Sequence, residues 1–132
     1  MIKFQDLQVG DFVLAKYEGE MWEGVVNLIN NENKTCLVQT SVQEFWFKSE
    51  DLHPITLDEG QLMKLNFEKQ VNEDGSVKYL KGPFRIFLPQ QGDFSKMDIW
   101  YREDRRHLTN MLSVHELQNH YLQMTKVNLQ RN

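Results

Sequence analysis

The chain has 132 residues, 40% of them apolar, with 8 Phe, 4 Tyr, 3 Trp and a net charge of −4. That is enough apolar material for one domain or two small packed ones, burying roughly two-thirds of the unfolded surface without disulfides or metal. The lone Cys36 excludes an internal disulfide framework, "MIKFQDLQVGDF" lacks the apolar run of a leader, and no run approaches the ~20 apolar residues that span a bilayer. A cytoplasmic protein with no membrane partner is therefore expected.

Residues 1–57 read as short strands between polar turns. "VGDFVLAKY" opens on a Gly-Asp turn and alternates, with Val13, Ala15 and Tyr17 on one side and Phe12, Leu14 and Lys16 on the other. "EGE" turns the chain into residues 21–29, where Trp22, Val26 and Leu28 are predicted to share a side and Gly24 marks a bulge or a close approach. After "NNENK" come strands at 35–40 and 44–48, then a tight turn and a short fifth strand around Ile55–Leu57. This half carries four Lys and Arg against nine Asp and Glu, an acidity that opposes wrapping a phosphate backbone.

Five short strands in under sixty residues suggest a small curled barrel. The run "VGDFVLAKYEGEMWEGVV…CLVQ…FWFKSEDLHPI" resembles the SH3-like barrel of Tudor-type domains in four places. These are the VGD opening, the aromatic Tyr17 closing strand one, the segment from Trp22 to Val26, and Asp51-Leu52. The resemblance covers about 55 residues. It implies an aromatic cage for methylated lysine or arginine, held by cation–π attraction and an acid, with Tyr17, Trp22, Phe45, Phe47 and Glu23 as candidates. A barrel this small also needs aromatic rings in its core, and that reading of the same residues is preferred. Trp46, out of phase with Phe45 and Phe47, is the ring expected outside the barrel or against the second half.

In residues 58–132, Asp58 and Gln61 form a capping pattern that opens a helix over about 59–67, weakened by Gly60. The Asp74-Gly75 pair signals a hairpin, and strands are predicted at 77–80, 84–88, 97–102 and 107–112. Ser113 and Glu116 form a second capping box before a helix to about Lys126, with Val114, Leu117, Tyr121 and Met124 as its apolar stripe. The predicted class is α+β and β-rich: an SH3-like barrel over 1–57 packed tightly against a small antiparallel sheet with two helices over 58–132, with no spacer between them. "DLHPITLDEGQLMKLNFEK" (51–69) and "VHELQNHYLQMT" (114–125) resemble segments of small uncharacterised bacterial and prophage-associated proteins. That resemblance implies one integrated domain and no activity. The chain departs from it at His120 and Met124, where apolar or small residues would be expected.

Candidate chemistry is sparse. His115 and His120 flank Glu116 as in a metalloprotease helix, but the spacing is i+5. At about 100° per residue the two rings lie roughly 140° apart, so they cannot share an ion and read as surface or interface histidines. Gln118 falls beside the apolar stripe and needs a partner, expected to be a neighbouring strand's backbone. No Gly-rich phosphate loop, nucleophile elbow or recognisable Cys–His pair is present, and Cys36 sits among apolar neighbours. No catalytic residue, metal or cofactor is expected, and a metal-dependent hydrolase is the least favoured reading.

The favoured role is non-catalytic binding of another protein through exposed aromatics, with Tyr17, Trp22, Trp46 and Trp100 as candidates. The alternative is nucleic-acid binding through "IWYREDRRH" (99–107). There Trp100 and Tyr101 would stack bases and Arg102, Arg105 and Arg106 would hold phosphates, against cancellation by Glu103 and Asp104. An unpaired strand edge of the second half would also permit a homodimer.

Overall fold

The computed structural model describes residues 1–131 and divides into two compact units, Met1–Ile55 and a second beginning at Thr56. Over the described residues the protein is β-rich α+β, with two five-stranded antiparallel sheets and two α-helices.

In the first unit a 3-10 turn (Phe4–Asp6) precedes β1 (Phe12–Tyr17), β2 (Glu20–Asn30), β3 (Thr35–Thr40), β4 (Glu44–Lys48) and β5 (Leu52–His53). The sheet order is β4-β3-β2-β1-β5, open at β4 and β5. Period-two alternation sends Val13, Ala15, Val26, Cys36, Val38, Phe47 and Leu52 into one core, closed by Ile2 and Leu7. Each of the larger of these side chains, such as Val26, Val38, Phe47 and Leu52, contributes roughly 1.5–3 kcal/mol when taken out of water. The fifth strand lies at Leu52–His53, where Leu52 pairs with Ala15, and not at 55–57. Pro54 explains the shift: it supplies no N–H to continue the ladder.

Gly24 is a close approach. A Cβ there would lie 2.7 Å from Val38 Cγ1 and 2.8 Å from the Gln39 carbonyl oxygen. The bulge in β2 falls three residues later: Val26 pairs with Val38 and Leu28 with Leu37, leaving Asn27 as the extra residue. The bulge reverses the alternation, so Leu28 does not share a side with Trp22 and Val26. It faces solvent at 53% exposure, while Ile29 turns toward the core.

Asp11 follows the turn at Gly10 and is buried at 3% exposure. Its Oδ2 accepts from the Gln8 N–H at 2.9 Å. Burial pushes its pKa up to about 6, with the Gln8 hydrogen bond opposing the rise.

The second unit begins with α1 (Glu59–Lys64), capped by Asp58, whose Oδ1 accepts from Gln61 N at 2.8 Å. The helix stops short of the predicted Phe67 because Asn66 turns left-handed at φ 66°, a conformation Asn tolerates. Next comes a meander of β6 (Glu68–Val71), β7 (Val77–Lys81), β8 (Phe84–Leu88), β9 (Met97–Tyr101) and β10 (Asp104–Leu108). The last strand lies at 104–108 and not 107–112, because a two-residue turn at Arg102-Glu103 pairs Tyr101 directly with Asp104. Arg102 takes φ 56° in that turn, the backbone a tight hairpin requires.

One face of this sheet carries Val77, Tyr79, Phe84, Ile86, Leu88, Met97 and Ile99, all buried. The Phe84 ring meets Phe67 and Tyr121 edge-on, at centroid distances of 6.1 and 4.8 Å. Tyr121 belongs to α2 (Val114–Thr125), whose Val114, Leu117, Tyr121 and Met124 are buried as one stripe. Glu116 Oε1 accepts from the Ser113 N–H and hydroxyl, closing the capping box.

Candidate functional site

The tightest hairpin of the first unit builds a cleft. Tyr17 pairs with Glu20 across the two-residue loop Glu18-Gly19, both with positive φ, as a type I′ turn demands. Tyr17, Trp22, Phe45 and Phe47 therefore converge at one end of the sheet's inner face. With Glu18 and Glu20 at the rim, they line a cleft of about 260 Å³. The Tyr17 ring sits 5.0 Å from Phe45, tilted, and 6.5 Å from Phe47, edge-on.

The four rings do not share one role. Phe47 is core at 7% exposure, Tyr17 and Trp22 are half-buried, and Phe45 is 37% exposed. The acids also differ from expectation. Glu23 pairs with Leu14 on the other face and does not line the cleft; Glu18 and Glu20 do. Their place follows from the hairpin register, which sets Glu20 opposite Tyr17 and Glu18 in the loop itself. Such a cleft, with aromatic faces and a carboxylate rim, suits an apolar or cationic side chain.

Trp46 projects from the opposite face of edge strand β4, 50% exposed, in a cross-strand row with Leu37 and Leu28. It does not join the cleft.

The segment 99–107 is divided between two faces of the second sheet. Trp100 and Arg105 are cross-strand partners on the face opposite the helices, with the Arg105 guanidinium 4.8 Å from the indole centroid. Arg106 points the other way: its Nη1 donates to His120 Nδ1 at 2.9 Å and to Gln123 Oε1 at 2.8 Å, and it pairs with Asp104. Arg102 lies in the turn, 5.1 Å over the Tyr101 ring. One linear binding strip is therefore ruled out by strand alternation. The sequence reading missed Lys78 and Arg85, which come from β7 and β8 to the same indole; only the cross-strand register reveals them.

The helix histidines take separate neighbours. His115, expected at the surface or an interface, is buried, and its Nδ1 lies 3.0 Å from Ser113 Oγ. His120 is half-buried; desolvation and then the Arg106 charge lower its pKa, which favours the neutral ring that accepts from Arg106. No cluster of three His, Cys, Asp or Glu side chains suited to a metal ion occurs among the described residues. Gln118 is buried, and its Nε2 donates to the Leu129 carbonyl at 3.2 Å. This bond ties it to the backbone of the segment after α2. Among the described residues no helix is long and apolar enough to cross a membrane. No family model, curated protein or solved structure matches the chain.

Proposed function

We propose that the first unit is an SH3-like barrel of the Tudor type in a cytoplasmic, bacterial or prophage-derived protein. In this reading it is a non-catalytic module that binds another protein by enclosing one of its cationic side chains. The observation that carries the reading is the cleft itself: three partly exposed rings, from Tyr17, Trp22 and Phe45, with Glu18 and Glu20 at its rim. A quaternary or methylated ammonium gains from aromatic faces by cation–π attraction, and a carboxylate rim adds long-range attraction. The acidity of residues 1–57 would draw such a partner and repel polyanions.

Titration calorimetry with a trimethyllysine peptide and its unmethylated twin tests the proposal. The methylated peptide should bind, and Tyr17→Ala or Trp22→Ala should weaken it by about tenfold, the value of one cation–π contact of ~1.4 kcal/mol. Equal binding of the two peptides, no binding of either, or binding unaffected by both folded variants would refute the reading.

A further inference from the structure

The second sheet leaves one broad face open, and that face is not bland. Reading across the strands, Arg85 (β8), Trp100 (β9) and Arg105 (β10) are direct cross-strand neighbours in one row. In the adjacent row stand Lys78, Phe87, Asp98 and His107, in register on β7, β8, β9 and β10. The guanidinium carbons of Arg85 and Arg105 lie 5.1 and 4.8 Å from the Trp100 ring centroid, and the Lys78 ammonium lies 6.0 Å from it. With strands about 4.8 Å apart, the two arginines rise on either side of the indole, roughly 10 Å from each other.

Charge on this face is unbalanced. Asp98 is shared by Arg105 and His107, and their hydrogen bonds, His107's first, hold its pKa below the ordinary range. Lys78 and Arg85 have no acidic partner among the described residues. Glu68, the other acid on this face, stands on the far edge strand opposite Leu80, two strands away from Arg85. Three cations drawn around one indole repel each other, and a single shared carboxylate leaves most of that charge unanswered. Arg85 and Arg105 are exposed, while Lys78, Phe87 and Trp100 are partly so.

We infer that this open face binds single-stranded nucleic acid, with the phosphates on Lys78, Arg85 and Arg105 and the bases on the planar surfaces that Trp100, its two guanidiniums and Phe87 present. An acidic protein segment would satisfy the charges but leave those planes unused. A single strand uses both, which is how sequence-tolerant single-strand binders work. The surface belongs to the second unit, and the inference does not depend on the reading of the cleft in the first.

The test is fluorescence anisotropy of a labelled thymidine oligonucleotide against the full chain in a salt series. Three phosphate contacts on a single strand predict a slope of log affinity against log salt of about −2, so binding weakens about 20-fold between 50 and 200 mM salt. Arg85→Ala should reduce the slope to about −1.4, and Trp100→Ala should weaken binding by about tenfold. The slope of the unmodified chain needs no variant, so a failure of either to fold does not shield the inference. No binding at 50 mM salt, a flat slope, or full affinity in a folded Arg85→Ala, Arg105→Ala double variant overturns it. Equal competition by poly-glutamate would assign the face to an acidic protein instead, and equal affinity for a duplex would remove the single-strand assignment.

Discussion

Replacing Asp11 by asparagine should change how the stability of the first unit depends on pH. Asp11 is buried at 3% exposure, and its pKa rises from the ordinary 3.8 to about 6 in the fold. The folded chain therefore binds this proton more tightly than the unfolded chain does. Below about pH 4 both states carry it and it has no effect. As pH rises toward 6 the unfolded chain releases it first, so stability falls, and above about pH 6 the loss is constant. Each tenfold change in proton affinity is worth about 1.4 kcal/mol, so the full loss is about 3 kcal/mol. The amide of Asp11→Asn would keep an oxygen for the Gln8 N–H and would not titrate, so any cost of the amide is the same at every pH. The stability difference, variant minus unmodified, should therefore rise by about 3 kcal/mol between pH 3.5 and 7.5. Cys36 supplies the assay. It is the only cysteine and is buried in this unit's core, so urea-dependent labelling with a pyridyl disulfide, which also reacts in acid, follows this unit alone. A difference that stays constant across the range, or falls with rising pH, would mean that the Gln8 N–H outweighs burial and keeps the carboxylate ionised.

Two further predictions concern packing. Gly24→Ala would set a methyl 2.7 Å from Val38 Cγ1 and 2.8 Å from a backbone oxygen that cannot swing away, so the first unit should lose about 1–3 kcal/mol in the same labelling assay. Gln118→Leu removes the donor to the Leu129 carbonyl and should cost about 1–3 kcal/mol, with faster amide hydrogen exchange over 127–131 than in the unmodified chain.

What could be read in advance followed from how strongly each segment was patterned. β1, β3 and β4 are short runs rich in β-branched and aromatic residues bounded by polar turns, and α2 repeats its apolar residues at helical spacing behind a capping box; these lie where expected. β6, "EKQV", was not predicted, because an exposed edge strand has no buried side to leave a pattern. β10, "DRRHL", was displaced for the same reason, and because Arg102-Glu103 lacks the glycine that normally announces a hairpin. The burial of His115 does not follow from the wheel, which places it beside the stripe Val114, Leu117, Tyr121 and Met124 and not within it. The candidate site was half legible. Tyr17, Trp22, Phe45 and Phe47 are legible as one group. The acids are not, because the sequence does not state which face of β2 Glu20 and Glu23 take until the hairpin register is fixed. Lys78 and Arg85 were beyond reach, for their connection to Trp100 is a matter of strand order.

The extra residue in β2 has a further meaning for how the chain tolerates length changes. On its N-terminal side the even-numbered residues Trp22, Gly24 and Val26 face inward; on its C-terminal side the odd-numbered Ile29 does. Asn27 therefore acts as a phase shifter joining two strand halves of opposite parity, each matched to its own partners. Removing that one residue would make Val26, Leu28 and Ile29 consecutive, alternating in, out and in against Val38, Leu37 and Cys36, the partners and sides they already have. Asn27 is therefore the one place in this strand where the chain can shorten by a residue without carrying any other side chain to the wrong face.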